Sequence, residues 1–219
     1  MGGRGSAAGK SGSAKRKYQD YDDRHDSNAA LSPDGEAWWS RLNKKERDFY
    51  KYYTLDRFRD FNKEVRKADG DVSKMKPLTQ SEYQIAVNTL GNGVLDRDMV
   101  MHRNSSGSLL GLGSDPTYEQ IKAMEGKIRV DYSITSSRAS KYAETSSAFG
   151  KIRYHINTPK GKGIGAYIAN HSSCGEREDE FLYRPGSAFR IDKVYLDKNG
   201  RTNVDMTYVG NINDAPKKK

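Results

Sequence analysis

The chain has 219 residues, enough for one sizeable core or for a core with a small helical lobe. Hydrophobic residues make up 34% and the net charge is +9, so part of the chain is expected to stay unpacked, and anionic partners such as nucleic acid, phosphorylated molecules or acidic protein surfaces suit it. The single cysteine, Cys174, excludes an intrachain disulfide and a cysteine-based zinc site. The four histidines are scattered without metal-ligand spacing, and neither a membrane span nor a standard secretory signal is read.

Residues 1–33 are rich in Gly, Ser and Ala and carry Arg4, Lys10, Lys15, Arg16 and Lys17. They read as a disordered basic arm, either a solubilising tail or a tether for nucleic acid. Its A-A-G-K-S-G piece lacks the spacing of a phosphate loop. Residues 34–90 read as a helical lobe. Ser32-Pro33-Asp34-Gly35 marks a turn and helix entry, and Trp38, Trp39, Leu42, Phe49, Tyr50, Tyr53, Phe58, Phe61 and Val65 follow at mostly helical spacing. Two helices with a break near Tyr53-Thr54 are expected. Aromatic residues among basic ones also suit base stacking, but at this spacing a packing face is the simpler reading. A further helix is expected over 79–90, capped by Thr79 or Ser81, with Tyr83, Val87 and Leu90 inward.

Residues 91–212 are dominated by short strands. Met99-Val100-Met101-His102-Arg103 is a strand ending on an arginine, whose planar fork suits a phosphate or carboxylate, although a surface arginine has the same sequence. A helix is expected over 117–124 and a strand over 127–132 that continues into Ser133-Ile134-Thr135-Ser136-Ser137. There, alternating hydroxyls give one face small donors for a carboxylate or a ribose; a polar edge strand is the plainer alternative. Residues 137–150 form a polar loop or short helix ending in Ala148-Phe149-Gly150. Strands over 151–156 and 166–168 flank the turn P-K-G-K-G-I-G, whose glycines do not match a dinucleotide-binding G-x-G-x-x-G. Asn199-Gly200 joins two strands as a hairpin, and residues 213–219 form a basic tail. Helices first and then a row of short strands give an α+β chain with an antiparallel, sandwich-like core.

The remaining stretch is E-R-E-D-E-F-L-Y-R-P-G-S-A-F-R-I-D over 176–192. In an extended strand, residues two apart share a face, so Glu178 and Glu180 are expected to point the same way with Asp179 opposite. Paired carboxylates beside apolar residues raise each other's pKa. A solvated acidic loop ahead of an edge strand fits the same residues.

A strand-end arginine, a hydroxyl strand and E-x-E before an apolar strand stand here in one order. That order resembles the arginine–serine–glutamate class of mono-ADP-ribosyltransferases, in particular phage-encoded and binary-toxin enzymes of the actin-modifying type. The resemblance covers about residues 83–209. It is strongest where A-F-G-K-I, P-K-G-K-G-I-G-A-Y-I and E-D-E-F-L-Y-R-P-G-S-A-F-R-I-D-K follow one another.

The resemblance implies an ADP-ribosyltransferase-like split antiparallel β-sandwich with an N-terminal helical lobe, and NAD as substrate with no metal. Arg103 matches the family arginine that grips the NAD phosphates. Glu180 matches the catalytic glutamate, which bonds the nicotinamide ribose and stabilises the cationic sugar. Glu178 matches the glutamate that positions or deprotonates the acceptor, and in the family E-x-E goes with arginine acceptors. Phe149 looks like the aromatic of the phosphate–nicotinamide loop, with Lys151 near its basic residue. The family's S-T-S falls on Thr135, Ser136 and Ser137 if one residue is gapped, and on Ile134 if not; the gapped alignment supplies the hydroxyl that the glutamate needs. The implied activity is transfer of ADP-ribose to a protein arginine of a host, in the host cytoplasm, by a monomer with no membrane association; carriage in a virion is compatible with it. The alternative is a basic phage structural or nucleic-acid-binding protein with a vestigial transferase fold.

Overall fold

The computed structural model describes residues 17–141, 150–173 and 175–214. Helix α1 (Arg24–Ser40) starts earlier than the Ser32-Pro33 entry that the sequence suggests, capped by the Asp23 side chain, and it runs straight through Pro33. Ser27, Leu31, Gly35 and Trp38 are buried at helical spacing, and that continuous inner face offsets the cost of an internal proline. A β-carbon on Gly35 would meet the Tyr167 carbonyl at 2.6 Å, so the glycine lets α1 lie close against the sheet.

Helix α2 (Lys44–Tyr52) opens with a capping box between Asn43 and Glu46. The expected break near Tyr53-Thr54 is a π-turn, Tyr53–Arg57, after which helix α3 (Phe58–Lys67) continues. Helix α4 (Pro77–Leu90) begins ahead of the expected start, with proline in its first turn and no side-chain cap. Thr79 therefore caps nothing: it is buried and accepts from Arg57 Nη2 at 2.9 Å, while the Arg57 fork grips Glu82 at 2.8–3.2 Å. This ion pair braces the π-turn against α4. No helix among the described residues is long and apolar enough to cross a membrane.

The strands are β1 (Val94–Leu95), β2 (Met99–Ser105), β3 (Ile128–Asp131), β4 (Thr135–Arg138), β5 (Ile152–Thr158), β6 (Gly161–Lys162), β7 (Gly165–Tyr167), β8 (Glu180–Tyr183), β9 (Ser187–Leu196) and β10 (Thr202–Asn211), with helix α5 (Tyr118–Lys122) between β2 and β3. An eight-stranded sheet runs in the order β3-β9-β10-β5-β2-β4-β8-β7, and β1 pairs with β6 apart from it. Pairing is antiparallel except for the parallel β5–β10 pair, which makes the sheet mixed. The halves meet through one residue pair, His102↔Arg138, and this narrow seam splits the sheet. The Asn199-Gly200 hairpin joins β9 and β10 as the sequence indicates.

The 127–137 segment is not one strand. β3 belongs to the far end of the sheet and β4 to the other half. The corner between them is tied by Asp131, which accepts from Ser133 N at 3.0 Å, Ser133 Oγ at 2.8 Å and Thr135 Oγ1 at 2.6 Å.

Strand β8 is buried at every position. Phe181 and Tyr183 face one core with Ile156, Phe189 and Val204, while Leu182 faces the lobe core with Trp38, Phe61 and Leu90. A strand covered on both faces reads as a continuous apolar run, which is why F-L-Y shows no alternation.

Candidate active site

Glu180 opens β8, and its backbone is fixed by a bond from Ile168 N to its carbonyl at 2.8 Å. The residue is 5% exposed; Oε1 accepts from Ser136 Oγ at 2.7 Å, and Oε2 has no hydrogen-bond partner among the described residues. Burial pushes its pKa up to about 7, opposed by the Ser136 bond, reinforced by the charge of Glu178, and eased by Ser172 and Arg103.

Arg103 lies within β2, two residues short of its end. Its Nη1 donates to the Ser136 carbonyl, Nη2 lies 3.5 Å from Ser105 Oγ, and its buried Nε has no partner among the described residues. Burial, with the nearby Arg66 cation, lowers its pKa below the usual arginine range. Ser136 therefore touches both charged groups, the arginine through its carbonyl and the glutamate through its hydroxyl.

One cavity of about 340 Å³ is lined by Arg103, Ser136, Ser137, Glu178 and Glu180, closed on the lobe side by Tyr53, Thr54, Leu55, Phe58 and Asn62. Two orphaned polar atoms, Glu180 Oε2 and Arg103 Nε, sit in groups that line it.

The E-D-E segment departs from the expected strand. Gly175–Glu178 is a 3-10 turn and Asp179 has φ +49°, so Glu178 and Glu180 are not alternate residues of an extended chain. They still line the same cavity, because the left-handed residue between them turns the chain back toward it. Asp179 is directed away, bonded to Ser27 and Tyr167.

The hydroxyl segment resolves differently from its alternation. Ile134 is fully buried in the lobe core, and Thr135 donates to Asp131, so neither meets Glu180. Ser137 donates to the Phe181 carbonyl at 3.2 Å. Ser136, on the opposite face of β4, supplies the glutamate's hydroxyl. Lys151 is not brought to this cavity: it pairs with Asp115 at 2.9 Å and lines a second hollow with Arg201 and Asn199. Phe149 lies outside the described residues.

The lobe residues at the rim were hidden in the sequence by the aromatic stripe. Tyr53 and Phe58 share the spacing of core residues such as Phe49 and Phe61, and only the π-turn brings Tyr53, Leu55 and Phe58 onto one wall. Ser172, close to Glu180, carried no signal in the sequence.

Several solved structures share this architecture. The C3 exoenzyme of Clostridium limosum superposes with a TM-score of 0.76 at 16% identity, over 89% of this chain and 98% of that one. Plx2a, an ADP-ribosyltransferase toxin from Paenibacillus larvae, gives 0.75 at 17% identity over 89% and 100%. BECa, an ADP-ribosylating toxin of a binary enterotoxin from C. perfringens, solved with NADH, gives 0.73 at 17% identity over 88% of this chain and 50% of that one. No curated protein matches the chain in sequence. The model of the ADP-ribosyltransferase exoenzyme family matches residues 33–210, and with most of its length so covered the chain belongs to that family.

Proposed function

We propose that the protein is an NAD-dependent mono-ADP-ribosyltransferase that moves ADP-ribose to a protein arginine and releases nicotinamide. The observation that carries this reading is the meeting of Arg103, Ser136, Glu178 and Glu180 in one cavity. Arg103 offers its fork to the pyrophosphate, with Ser136 holding the guanidinium in place. Glu180, oriented by Ser136, lines the cavity beside the place of the ribose, where a carboxylate stabilises the positive charge that develops as the glycosidic bond breaks.

Glu178 completes the reaction. A guanidinium is protonated in water, so it attacks the sugar only after a base takes its proton, and Glu178 lies beside Glu180 to orient it and accept that proton. A glutamate at this place favours an arginine acceptor, as the E-x-E pattern implies. Leu55, 67% exposed, and Phe58, 38% exposed, stand at the rim on the lobe side, where an incoming protein would meet them.

The test is incubation of the protein with labelled NAD and a host lysate, in parallel with Glu180→Gln. Labelling of protein by the wild type, stable to hydroxylamine treatments that strip carboxyl esters and lost in the variant, is expected. Equal labelling by both removes Glu180 from the reaction.

A further inference from the structure

Asp179 stands between the two cavity glutamates in a backbone conformation that side-chain-bearing residues seldom adopt, with φ +49°. It is 1% exposed and does not line the cavity. Both of its carboxylate oxygens are used. Oδ2 accepts from Ser27 Oγ of α1 at 2.8 Å, and Oδ1 accepts from the Tyr167 hydroxyl of β7 at 2.7 Å. Its carbonyl accepts from Ala139 N at 3.0 Å, just beyond β4. Three elements thus converge on one residue. Burial raises its pKa, and the Ser140, Tyr167 and Ser27 hydroxyls with the Arg138 charge oppose that rise.

A buried carboxylate is retained at a cost, and the reaction proposed above gives this one nothing to do. Its position explains it. The left-handed residue turns the chain between the 3-10 turn that carries Glu178 and the strand that carries Glu180. In a relaxed extended conformation, residue 179 would re-aim Glu178 relative to Glu180. The side-chain bonds to Ser27, 152 residues away in the chain, and to Tyr167, 12 residues away, oppose that relaxation and come from two other elements.

We propose that Asp179 is a positioning residue that sets the placement of Glu178 relative to Glu180, with Ser27 and Tyr167 as its anchors, so that helix α1 takes part in aligning the site. The inference rests on the reading of those two glutamates as the reacting pair.

The test uses the full chain as wild type, as Asp179→Asn, as Asp179→Ala, and as the double variant Ser27→Ala with Tyr167→Phe, which leaves residue 179 itself intact. NAD hydrolysis and acceptor labelling are measured, together with the titration midpoint of the Glu180 carboxyl by carboxyl-carbon NMR. In the double variant, kcat for transfer falls about tenfold or more with KM for NAD within about twofold. The ratio of transfer to hydrolysis drops, and the Glu180 midpoint moves down from about 7 as water reaches a displaced carboxyl. Asp179→Ala shows the same changes more strongly. Asp179→Asn, which tolerates the left-handed backbone, is partly rescued. A folded double variant that keeps both the wild-type ratio and the wild-type midpoint overturns the proposal, even if its melting temperature falls. A wild type that consumes no NAD sinks the catalytic reading instead, and the Glu180 midpoint still decides whether Asp179 holds it.

Discussion

Ser136 donates its hydroxyl to Glu180 Oε1 over 2.7 Å while the Arg103 guanidinium donates to its carbonyl. One residue thus fixes the spacing between the cation and the acid of the cavity, and the following outcomes depend on that arrangement.

The proposed reaction needs Glu180 as a carboxylate, yet burial pushes its pKa up to about 7. NAD cleavage is expected to climb with pH to a plateau with a midpoint near that value, and Glu180→Gln to lower the rate about a hundred- to a thousandfold. The stability effect has the opposite sense. In the ordinary carboxylate range the unfolded chain has already lost this proton and the folded chain keeps it, so the folded state loses stability as pH rises from about 4.5 through about 7. The full loss is on the order of 3 kcal/mol. Glu180→Gln removes it, and thermal melting should show the variant matching the wild type in acid and exceeding it in mild alkali.

Glu178 is assigned to the acceptor and not to the bond that breaks. Glu178→Gln should therefore reduce protein labelling about a hundredfold while slow NAD hydrolysis stays within a few-fold of the wild type. Parallel measurement of free nicotinamide and labelled protein checks this; equal losses in both would merge the roles of Glu178 and Glu180.

Lysine lacks the fork that Arg103 offers, so Arg103→Lys should lower kcat/KM for NAD about 10- to 100-fold, mainly through KM. Ser136→Ala is expected to act differently. It removes the bond that lowers the Glu180 pKa, so the midpoint of the pH profile moves upward. Steady-state kinetics across a pH series separates the two.

Arg66 pairs with Asp131 at 2.9 Å and ties α3 of the lobe to the corner between β3 and β4. Although burial works to raise the Asp131 pKa, the Arg66 charge and bond and the Thr135 and Ser133 hydroxyls carry it below its usual value. Arg66→Ala leaves that carboxylate buried and short of its cation, and should cost about 3 kcal/mol near neutral pH by urea unfolding. A depressed acid contributes stability above its ordinary pKa of 3.8 and loses it as pH falls through the folded value. The gap between variant and wild type should therefore narrow in strong acid.

The sequence was most informative where a local pattern had one physical outcome. Asn199-Gly200 marks a hairpin because Gly200 takes the left-handed backbone that closes the turn, with φ +73°, and F-L-Y marks a strand buried on both faces. Arg103, Glu178 and Glu180 could be picked out only through the order of their motifs, since each alone also fits a surface arginine or a solvated acidic loop. The limits were equally physical. Strand alternation puts Glu178 on the side of Glu180 for the wrong reason, because nothing in E-D-E announces a left-handed aspartate, one of whose partners, Ser27, lies 152 residues away. The gapped alignment gave Thr135, Ser136 and Ser137 as the hydroxyl motif without saying which of them meets the glutamate. The corner at Asp131 rotates the hydroxyls, and only the fold shows that Ser136 faces the glutamate. Pro33 suggested a helix start, yet the buried face of α1 carries the helix across it.

At the π-turn, the Phe58 amide reaches back to the Tyr53 carbonyl. In a regular helix a surplus residue would turn everything after it by about 100° around the axis, and the wide turn absorbs it. Phe61 and Val65 therefore reach the same core as Phe49 and Tyr53, while Leu55 and Phe58 are left at the rim. Loss of a single codon within 53–57 would knit α2 and α3 into one regular helix with Phe61 and Val65 still inward, but the bulged wall of the hollow would be gone. In this stretch one extra residue shapes the cleft without putting the lobe out of phase.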